Sequence, residues 1–444
     1  MKHPLLFLAA AVLSCMVSCI KVEIPTLHPH PSGPDTTTTV SLTITSISPT
    51  HGAGGTTITI AGTGFSATGS NDIVNINGQA ATVISAGANS LVVTIPVKAG
   101  TGPVAVTVGS NTATGPVLTY DFAYVVSTYA GGTAGFADGN LLSAQFKHPT
   151  GICIDPSGNL YISDGGNFKI RKIAASGVVS TLAGSTQGYI DGTASSAQFE
   201  QPMGLCMSST GTLYIVDQGA QAIRSLSTPG GVTTVSGGGE GYVSGSISTA
   251  EFDNPAGICM NTAGTLFVAD ASNSLIRGIS ATKVFDIAGN PNQTGSADGS
   301  GTQAQFNDPF GICTDGNGNF YVADTYGQKI RKVTGAGVVT TIAGSNAEGA
   351  ADGVGAAASF FQPVGICIDA AGNLYVADTQ NHLIRKIAAD GTVTTIAGTG
   401  SAGNADGVGT AASFNTPFGI CVDAQGTLYV ADTYNNIIRK LMQQ

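Results

Sequence analysis

Every arginine in the chain follows an aspartate by seven residues, and this Asp–Arg pair occurs six times. A guanidinium can hold a carboxylate through two parallel hydrogen bonds, so such pairs can bridge strands or, as a charged ring, bind a polar or anionic ligand. Six equal copies favour the bridging role, because a small asymmetric ligand has no use for six identical sites. The pairs are Asp164 and Arg171, Asp217 and Arg224, Asp270 and Arg277, Asp324 and Arg331, Asp378 and Arg385, and Asp432 and Arg439.

Six of the eight cysteines also share one position of a recurring apolar run. Packed sheets lie about 10 Å apart, whereas the Cα atoms of a disulfide approach within about 7 Å. We therefore predict free, buried thiols that serve as small core side chains instead of a disulfide framework. These cysteines are Cys153, Cys206, Cys259, Cys313, Cys367 and Cys421.

The phrase that contains these residues recurs six times, in copies that begin at Pro149, Pro202, Pro255, Pro309, Pro363 and Pro417. Each copy holds three short runs, as in GICID, LYISD and FKIRKI, and a fourth, VVSTLAG, precedes a Gly-rich linker. The first run lacks polar alternation, which is typical of a strand buried on both faces. One such copy buries too little surface to fold alone, but four-stranded copies arranged radially form a β-propeller. The sequence thus predicts an all-β chain with a six-bladed propeller at 123–444.

The last copy has no fourth strand, whereas a matching strand, YVVSTYAG, precedes the first copy at 124–131. We predict that this N-terminal strand completes the C-terminal blade and closes the ring, which removes open sheet edges.

Functional differences are expected where the copies differ, in loops at one face of the ring. Blades four and six place Phe between Pro and Gly and Tyr two residues after the repeat Asp, and blade five adds a histidine. An aromatic patch there could stack on a sugar ring or on a partner's loop. The alternative for both Phe residues is that they fill the junctions between blades. The candidate ligand-binding residues are Phe310, Tyr326, His382, Phe418 and Tyr434.

Carboxylates in the turns and linkers are interpreted as loop architecture. Asp155 and its equivalents end the first strand at a Gly-containing turn, where their side chains can cap the turn. The linkers carry a recurrent Asp-Gly, replaced by Ser244-Gly245 in one copy. A calcium ion held by these loop carboxylates stays open, because its ligands would need to converge.

Two segments precede the folded part. Residues 1–19 combine a short positive region, an apolar run and small residues before a cysteine, which is the layout of a signal peptide. The segment resembles a bacterial lipoprotein signal, which implies lipidation at Cys19, with Cys15 as the competing site and an unlipidated secretory signal as the alternative. Residues 20–39 are rich in Pro and Thr and predict an extended tether. Such a protein is expected to be exported and anchored to the outer membrane, on its periplasmic or cell-surface face.

Residues 40–122 contain six or seven short alternating runs broken by Gly, Asn and Pro, which predicts an immunoglobulin-like sandwich. Its opening, from Ile47-Ser48-Pro49 to TTITIAGTGF, and its closing PVAVTVG and LTYDF resemble the IPT/TIG family. The repeated phrase P-x-G-I-C-x-D-x-x-G-x-L-Y-V-A-D resembles the NHL repeat, which implies a six-bladed propeller. That resemblance also implies that an enzymatic function is possible, since similar propellers include an amidating lyase with histidine-ligated zinc and lactonases with carboxylate-held metal.

Charge and residue types narrow the function. Residues 123–444 carry 14 Lys+Arg against 23 Asp+Glu and no basic run, which argues against nucleic-acid binding. The propeller has two histidines, too few for the zinc site of the lyase. The sequence therefore predicts a monomeric, non-catalytic, lipid-anchored recognition protein that binds a glycan or a surface protein and needs no cofactor. The alternative is a metal-dependent hydrolase or lyase.

Overall fold

The structure, a computed structural model, describes residues 40–227 and 230–444. The predicted signal peptide, the lipidation at Cys19 and the tether at 20–39 lie outside the described residues. None of the helices in the described ranges has the length and apolar character needed to cross a membrane. The helices are single 3-10 turns at Gly69–Asn71, Gly165–Asn167, Gly301–Gln303, Gly355–Ala357, Thr379–Asn381, Gly409–Ala411 and Thr433–Asn435.

The first unit is a small β-sandwich. Its sheet order is β1-β3-β6-β5-β4-β7-β8-β2, and β5 pairs with β4 through its first residues and with β6 through the rest, so it joins the two layers. Alternate residues such as Ile58, Ile60, Val104 and Val106 are buried between the layers, as expected from a period of two. The strands are β1 Thr43–Ser48, β2 His51–Gly52, β3 Thr57–Thr63, β4 Asp72–Ile76, β5 Gln79–Gly87, β6 Ser90–Thr94, β7 Gly102–Val108 and β8 Asn111–Tyr120.

The second unit is a six-bladed propeller, as the repeats predict. The strands of the first three blades are β10 Gly139–Asn140, β11 Pro149–Ile154, β12 Leu160–Asp164, β13 Lys169–Ile173 and β14 Val178–Ala183; β15 Pro202–Met207, β16 Leu213–Asp217, β17 Ala222–Ser227 and β18 Gly231–Gly237; β19 Gly245–Ser246, β20 Pro255–Met260, β21 Leu266–Asp270, β22 Leu275–Ile279 and β23 Lys283–Gly289. Those of the last three are β24 Gly299–Ser300, β25 Pro309–Thr314, β26 Phe320–Asp324, β27 Lys329–Val333 and β28 Val338–Ala343; β29 Gly353–Val354, β30 Pro363–Ile368, β31 Leu374–Asp378, β32 Leu383–Ile387 and β33 Thr392–Ala397; β34 Gly407–Val408, β35 Pro417–Val422, β36 Leu428–Asp432 and β37 Ile437–Gln443, with β9 Tyr124–Gly131.

The blades differ from the prediction at their outer edge. Five sheets contain five strands, because the linker returns along the blade and adds a two-residue strand beside the outermost one. In blade two a single bridge between Gly192 and Val232 takes that place. Four strands per blade was therefore an incomplete prediction: the Gly-rich linker carries no period that marks such a short edge strand.

In the sixth sheet β9 pairs antiparallel with β37, from Ile437 opposite Gly131 to Gln443 opposite Tyr124. Around the axis the innermost strands of neighbouring blades approach closely at the glycine that stands two residues after the first proline of each copy. A Cβ on Gly151 would overlap the carbonyl oxygen of Met203 in the next blade, and a Cβ on Gly419 would overlap that of Thr150. The same contact thus joins blade six to blade one. This close approach explains why all six copies keep glycine there.

Candidate functional site

The variable residues lie together at one end of the ring. Pro309 pairs with Asp324 in blade four, and the equivalent pairing holds in every blade. The start of each inner strand and the loop after each second strand therefore share one end of the propeller. We call this end, where the inner strands begin at Pro149, Pro202, Pro255, Pro309, Pro363 and Pro417, the proline face.

The axial opening of the proline face is narrow and mostly apolar. Its mouth is bordered by the variable residues Thr150, Met203, Ala256, Phe310, Val364 and Phe418, and its walls by the following glycines and aliphatic residues. The space it encloses is about 80 Å³, enough for a few water molecules. The rings of Phe310 and Phe418 meet edge to face, with centroids 5.2 Å apart. Two of the predicted site residues thus contact each other across the axis and narrow the opening.

The two predicted tyrosines remain available to solvent. Tyr326 is 53% exposed and Tyr434 is 58% exposed. The N–H groups of both donate to the carbonyl two residues before the proline of the same blade, that of Asn307 and that of Asn415 respectively. These bonds fix the backbone and leave the rings outside. The Tyr434 ring also packs edge to face on His148 at 5.4 Å. Both rings therefore present contact surface on the proline face.

His382, the fifth candidate, holds two blades together. Its Nδ1 accepts a hydrogen bond from the N–H of Thr416 in the next blade at 3.1 Å. Burial lowers the pKa of His382, which favours the neutral ring that this accepting role requires. This structural contact was missed from the sequence, because its two residues lie 34 positions apart.

Three other residues at the position of His382 make the same contact. Each lies four residues after the repeat Asp, has a positive φ, and accepts a hydrogen bond from the N–H of the residue that precedes proline in the next blade. We call this contact the inter-blade clamp. The sequence signal that could have identified this contact is the frequency of amide and imidazole side chains four residues after the repeat Asp. The clamp residues are Gln221, Gln328, His382 and Asn436.

The Asp–Arg pairs are structural, as their repetition indicates, but each arginine binds two aspartates. In blade four the fully buried Arg331 is 2.7 Å from Asp324 and 2.8 Å from Asp298, the latter in the linker. It also donates to the carbonyls of Ala297 and Gln305 at 2.9 and 3.0 Å. The linker Asp-Gly, interpreted from sequence as loop architecture, therefore supplies a second counter-ion.

The arginine in each blade also faces a buried phenylalanine ring. The Cζ of Arg331 is 5.3 Å from the ring centroid of Phe306, a distance suited to a cation–π contact. We call the arginine, its two acidic partners and this ring the arginine cage. The other five rings are Phe146, Phe199, Phe252, Phe360 and Phe414, at 5.1, 5.4, 4.8, 5.2 and 5.0 Å. None of the arginines borders the axial opening of the described residues.

In blade three the second carboxylate of the arginine cage comes from a different residue. Its linker has Ser244 in place of the second aspartate, and the arginine donates to the Ser244 hydroxyl at 2.8 Å. The missing carboxylate comes from the outer strand, where Asp286 lies 3.3 Å from Arg277 Nε and accepts a hydrogen bond from Ser244. The cage thus keeps two carboxylates by a different route.

The pKa values of the two carboxylates of the cage are shifted in opposite directions. Burial raises the pKa of Asp324 to about 6, although Arg331 and the N–H of Asn307 favour the charged form. At the outer carboxylate burial acts in the same direction, but hydrogen bonds from the N–H of Thr341 and from Arg331 outweigh it and hold the pKa of Asp298 below its usual range.

The six propeller cysteines are free, as predicted. Three are buried and three, Cys153, Cys206 and Cys313, keep some exposed surface, so the prediction of complete burial holds for half of them. Burial raises the pKa of Cys153 to about 12. The thiols are therefore poor nucleophiles.

The turn carboxylates at the opposite end cap their own turns. Asp315 accepts hydrogen bonds from the N–H groups of Asn317 and Asn319 and from the side chains of Asn319 and Tyr321. In the part of the chain that the structure describes, no three His, Cys, Asp or Glu side chains form a group that could hold a metal ion.

Comparison with known families agrees with this architecture. The family model of the SMP-30/gluconolactonase/LRE-like region matches residues 204–443, more than half of the chain. The chain belongs to this family. An NHL repeat model matches residues 146–173 and an IPT/TIG domain model matches residues 42–124. The IPT/TIG and NHL resemblances stated from the sequence are confirmed.

Relatives of this family member are longer proteins. Protein SUPPRESSOR OF QUENCHING 1, chloroplastic, from Arabidopsis thaliana is 32% identical over 284 residues, which cover 59% of this chain and 27% of that protein. NHL repeat-containing protein 2 from Gallus gallus is 28% identical over 349 residues, which cover 73% of this chain and 43% of that protein. The chain thus spans less than half the length of these two relatives.

Solved structures share the fold at low sequence identity. A protein of unknown function from Bacteroides thetaiotaomicron superposes with a TM-score of 0.59 at 22% identity, covering 94% of this chain and 99% of that one. An auxiliary nutrient binding protein from the same species superposes with a TM-score of 0.58 at 19% identity, covering 90% and 97%. At these identities the likeness concerns the fold.

The carboxylate-held metal of lactonase-like propellers does not fit this SMP-30/gluconolactonase family member. Besides the absence of a metal-holding group in the described residues, the only hydroxyl at the axial mouth is that of Thr150. That hydroxyl donates to the carbonyl of Pro202 at 3.0 Å.

Proposed function

We propose that the chain is a non-catalytic recognition protein of the cell envelope, lipid-anchored and monomeric, whose proline face binds a glycan or a surface protein. The observation that carries the proposal is the chemistry of that face. It exposes the rings of Tyr326 and Tyr434 near a narrow axial opening that Phe310 and Phe418 border. Exposed aromatic rings on a rigid frame suit recognition by stacking.

Two further findings support binding over catalysis. The charged side chains of the arginine cages are committed to the frame, and the described residues bring no metal-binding donor set together. The structural similarity to an auxiliary nutrient binding protein is in keeping with a binding role.

The test is a screen of the full chain against polysaccharides and isolated surface proteins, followed by a double variant, Tyr326→Ala with Tyr434→Ala. Binding should be lost while the unfolding midpoint stays the same, because exposed side chains contribute little to stability. The matched control is Phe285→Ala, which removes a 37% exposed ring from the outer strand β23. Retained binding in the double variant would refute the use of this face.

Family membership favours lactone hydrolysis as the second candidate function. It is tested by assaying the full chain on lactones with added Ca²⁺, Zn²⁺ or Mg²⁺. Metal-dependent turnover that survives repurification would overturn the non-catalytic proposal.

The anchor has its own test. In the bacterial envelope, Cys19→Ser should move the protein from the membrane fraction to the soluble fraction, whereas Cys15→Ser should leave it in place. The reverse result would place the lipid on Cys15, and release by neither variant would argue against a lipid anchor.

A further inference from the structure

The inter-blade clamp is present at four of the six junctions, and the two exceptions differ from each other. Between blades one and two the clamp position is Phe168, and the N–H of Gln201 donates to Asp217 at 2.8 Å instead. Between blades three and four the clamp position is Ser274. Only there, within the described residues, does the N–H before proline, that of Asp308, donate to no protein acceptor.

The side chain of Ser274 explains why this N–H is free. Its φ of 56° matches the 54° of Gln328 and the 56° of His382, so the three side chains leave the backbone in the same direction. Serine is shorter than glutamine or histidine and does not reach the next blade. Its Oγ is buried without a hydrogen-bond partner, in a residue that is 2% exposed. An unpaired buried hydroxyl costs free energy, so this junction holds polar groups that the protein itself leaves unused.

The residue that bears the free N–H also carries a charge. Asp308 is the one acidic side chain among the six residues that precede proline. Its carboxylate is half-buried and accepts no hydrogen bond from the described residues, and burial raises the pKa of Asp308. A carboxylate in such surroundings gains from any hydroxyl that donates to it.

The backbone of an aromatic residue, Tyr326, is hydrogen-bonded to the chain next to Asp308. The N–H of Tyr326 donates to the carbonyl of Asn307, the neighbour of Asp308, at 3.0 Å. In blade three the side chains at the two equivalent positions touch, since Asn254 donates to Ser272 Oγ at 2.9 Å. Asp308 and the exposed Tyr326 occupy these two positions in blade four, and Phe310 follows Asp308 by two residues.

We propose that Asp308 and Tyr326, at the junction of blades three and four, form the specificity subsite of the proline face and that this subsite takes one neutral pyranose ring. Adjacent hydroxyls of the sugar would donate to the Asp308 carboxylate and accept from the Asp308 N–H, while its apolar face stacks on Tyr326. The proposal rests on the proposed function and names its ligand class.

A sugar diol matches the Asp308 carboxylate and N–H better than an ammonium, sulfate or uronate group does. An ammonium group satisfies the carboxylate but has no acceptor for the N–H, since it carries donors only. A sulfate or uronate satisfies the N–H but is repelled by the carboxylate. A neutral sugar offers donors and acceptors on adjacent carbons.

The experiment measures binding of neutral gluco-, galacto- and manno-oligosaccharides to the full chain by titration calorimetry. For the oligosaccharide that binds, Asp308→Asn should weaken affinity roughly 10- to 100-fold, the range of a charge-assisted hydrogen bond. Ser274→Gln should weaken it at least about tenfold while raising or preserving the unfolding midpoint, because glutamine supplies the missing clamp and occupies the Asp308 N–H. The matched control is Gln328→Ser, which opens the clamp at the next junction and should leave affinity unchanged.

Each remaining outcome is decisive. No binding by any neutral oligosaccharide, or tighter binding of an oligolysine peptide or a uronic acid oligomer, overturns the assignment. If Tyr434→Ala abolishes binding of a glycan or protein but Asp308→Asn and Ser274→Gln do not, the proline face still binds and this subsite is wrong. If none of these variants alters binding, the proposed function fails as well.

Discussion

The arginine cage gives the clearest quantitative prediction, and blade four is the best place to test it. Arg331→Met keeps the length of the buried side chain but removes the guanidinium. The change leaves the fully buried Asp324 without its cation and two carbonyls without a donor. Removing one partner of a buried ion pair costs about 3–5 kcal/mol, and we expect a loss of unfolding free energy in that range.

The outer carboxylate supplies the matched comparison. Asp298 is 48% exposed at its side chain, so solvent screens its contact with Arg331. Asp298→Asn should therefore cost about 1 kcal/mol or less. The double variant Arg331→Met with Asp324→Asn should recover part of the loss, because it no longer buries an unpaired charge.

The assay is urea unfolding followed by circular dichroism, combined with hydrogen exchange to locate the loss. Exchange is needed because repeat arrays can unfold in parts, in which case one free energy no longer describes the transition. We expect faster exchange in β26 and β27 than in blade one. A cost below about 1 kcal/mol for Arg331→Met, or one equal to that of Asp298→Asn, would refute the view that the inner pair carries the cage.

Three further predictions concern closure, thiols and pH. Deleting 124–131 removes the strand that pairs with β37 and should lower the melting temperature measured by calorimetry; an unchanged value would contradict ring closure. The native propeller thiols should react slowly with an aromatic disulfide reagent at pH 8 and all six rapidly in denaturant; fast native labelling would contradict their burial. The pKa of Asp324 in the folded protein, about 6, lies above the usual aspartate value of 3.8, so its contribution to stability falls as pH rises through 6. The unfolding free energy of Asp324→Asn should therefore change less between pH 5 and 7 than that of the unaltered protein, and equal pH profiles would speak against this shift.

The repeat made most of the frame predictable. A strict spacing identified the strands, the blade number and the Asp–Arg pairs, because each is a local feature that every copy repeats. The short linker strands could not be predicted from the sequence, since two residues beside an Asp-Gly, such as Gly299–Ser300, have no hydrophobic period. The sequence alone assigns their aspartates to loop architecture, whereas Asp298 binds Arg331 across 33 positions of sequence.

The candidate site was less predictable, for a physical reason. The variable positions could be found by comparing copies, but what their side chains touch depends on the neighbouring blade. His382 illustrates this, because its partner is the backbone of Thr416 and not a side chain that a pattern could reveal. Phe310 and Phe418 similarly meet only because their inner strands, 108 residues apart in the sequence, both begin at the axial opening.

The arginine cages and the residues of the proline face are therefore under different structural constraints. The cage is kept even where its linker aspartate is lost, since Asp286 replaces the function of that carboxylate beside Ser244. A buried guanidinium without enough acceptors would destabilise the blade. The clamp is under no such constraint, because the position of His382 carries a phenylalanine in blade one and a serine in blade three. Substitutions on the proline face can thus change its surface while six cages preserve the ring, and of the two junctions without a clamp, the one at Ser274 also has an unused N–H and carboxylate.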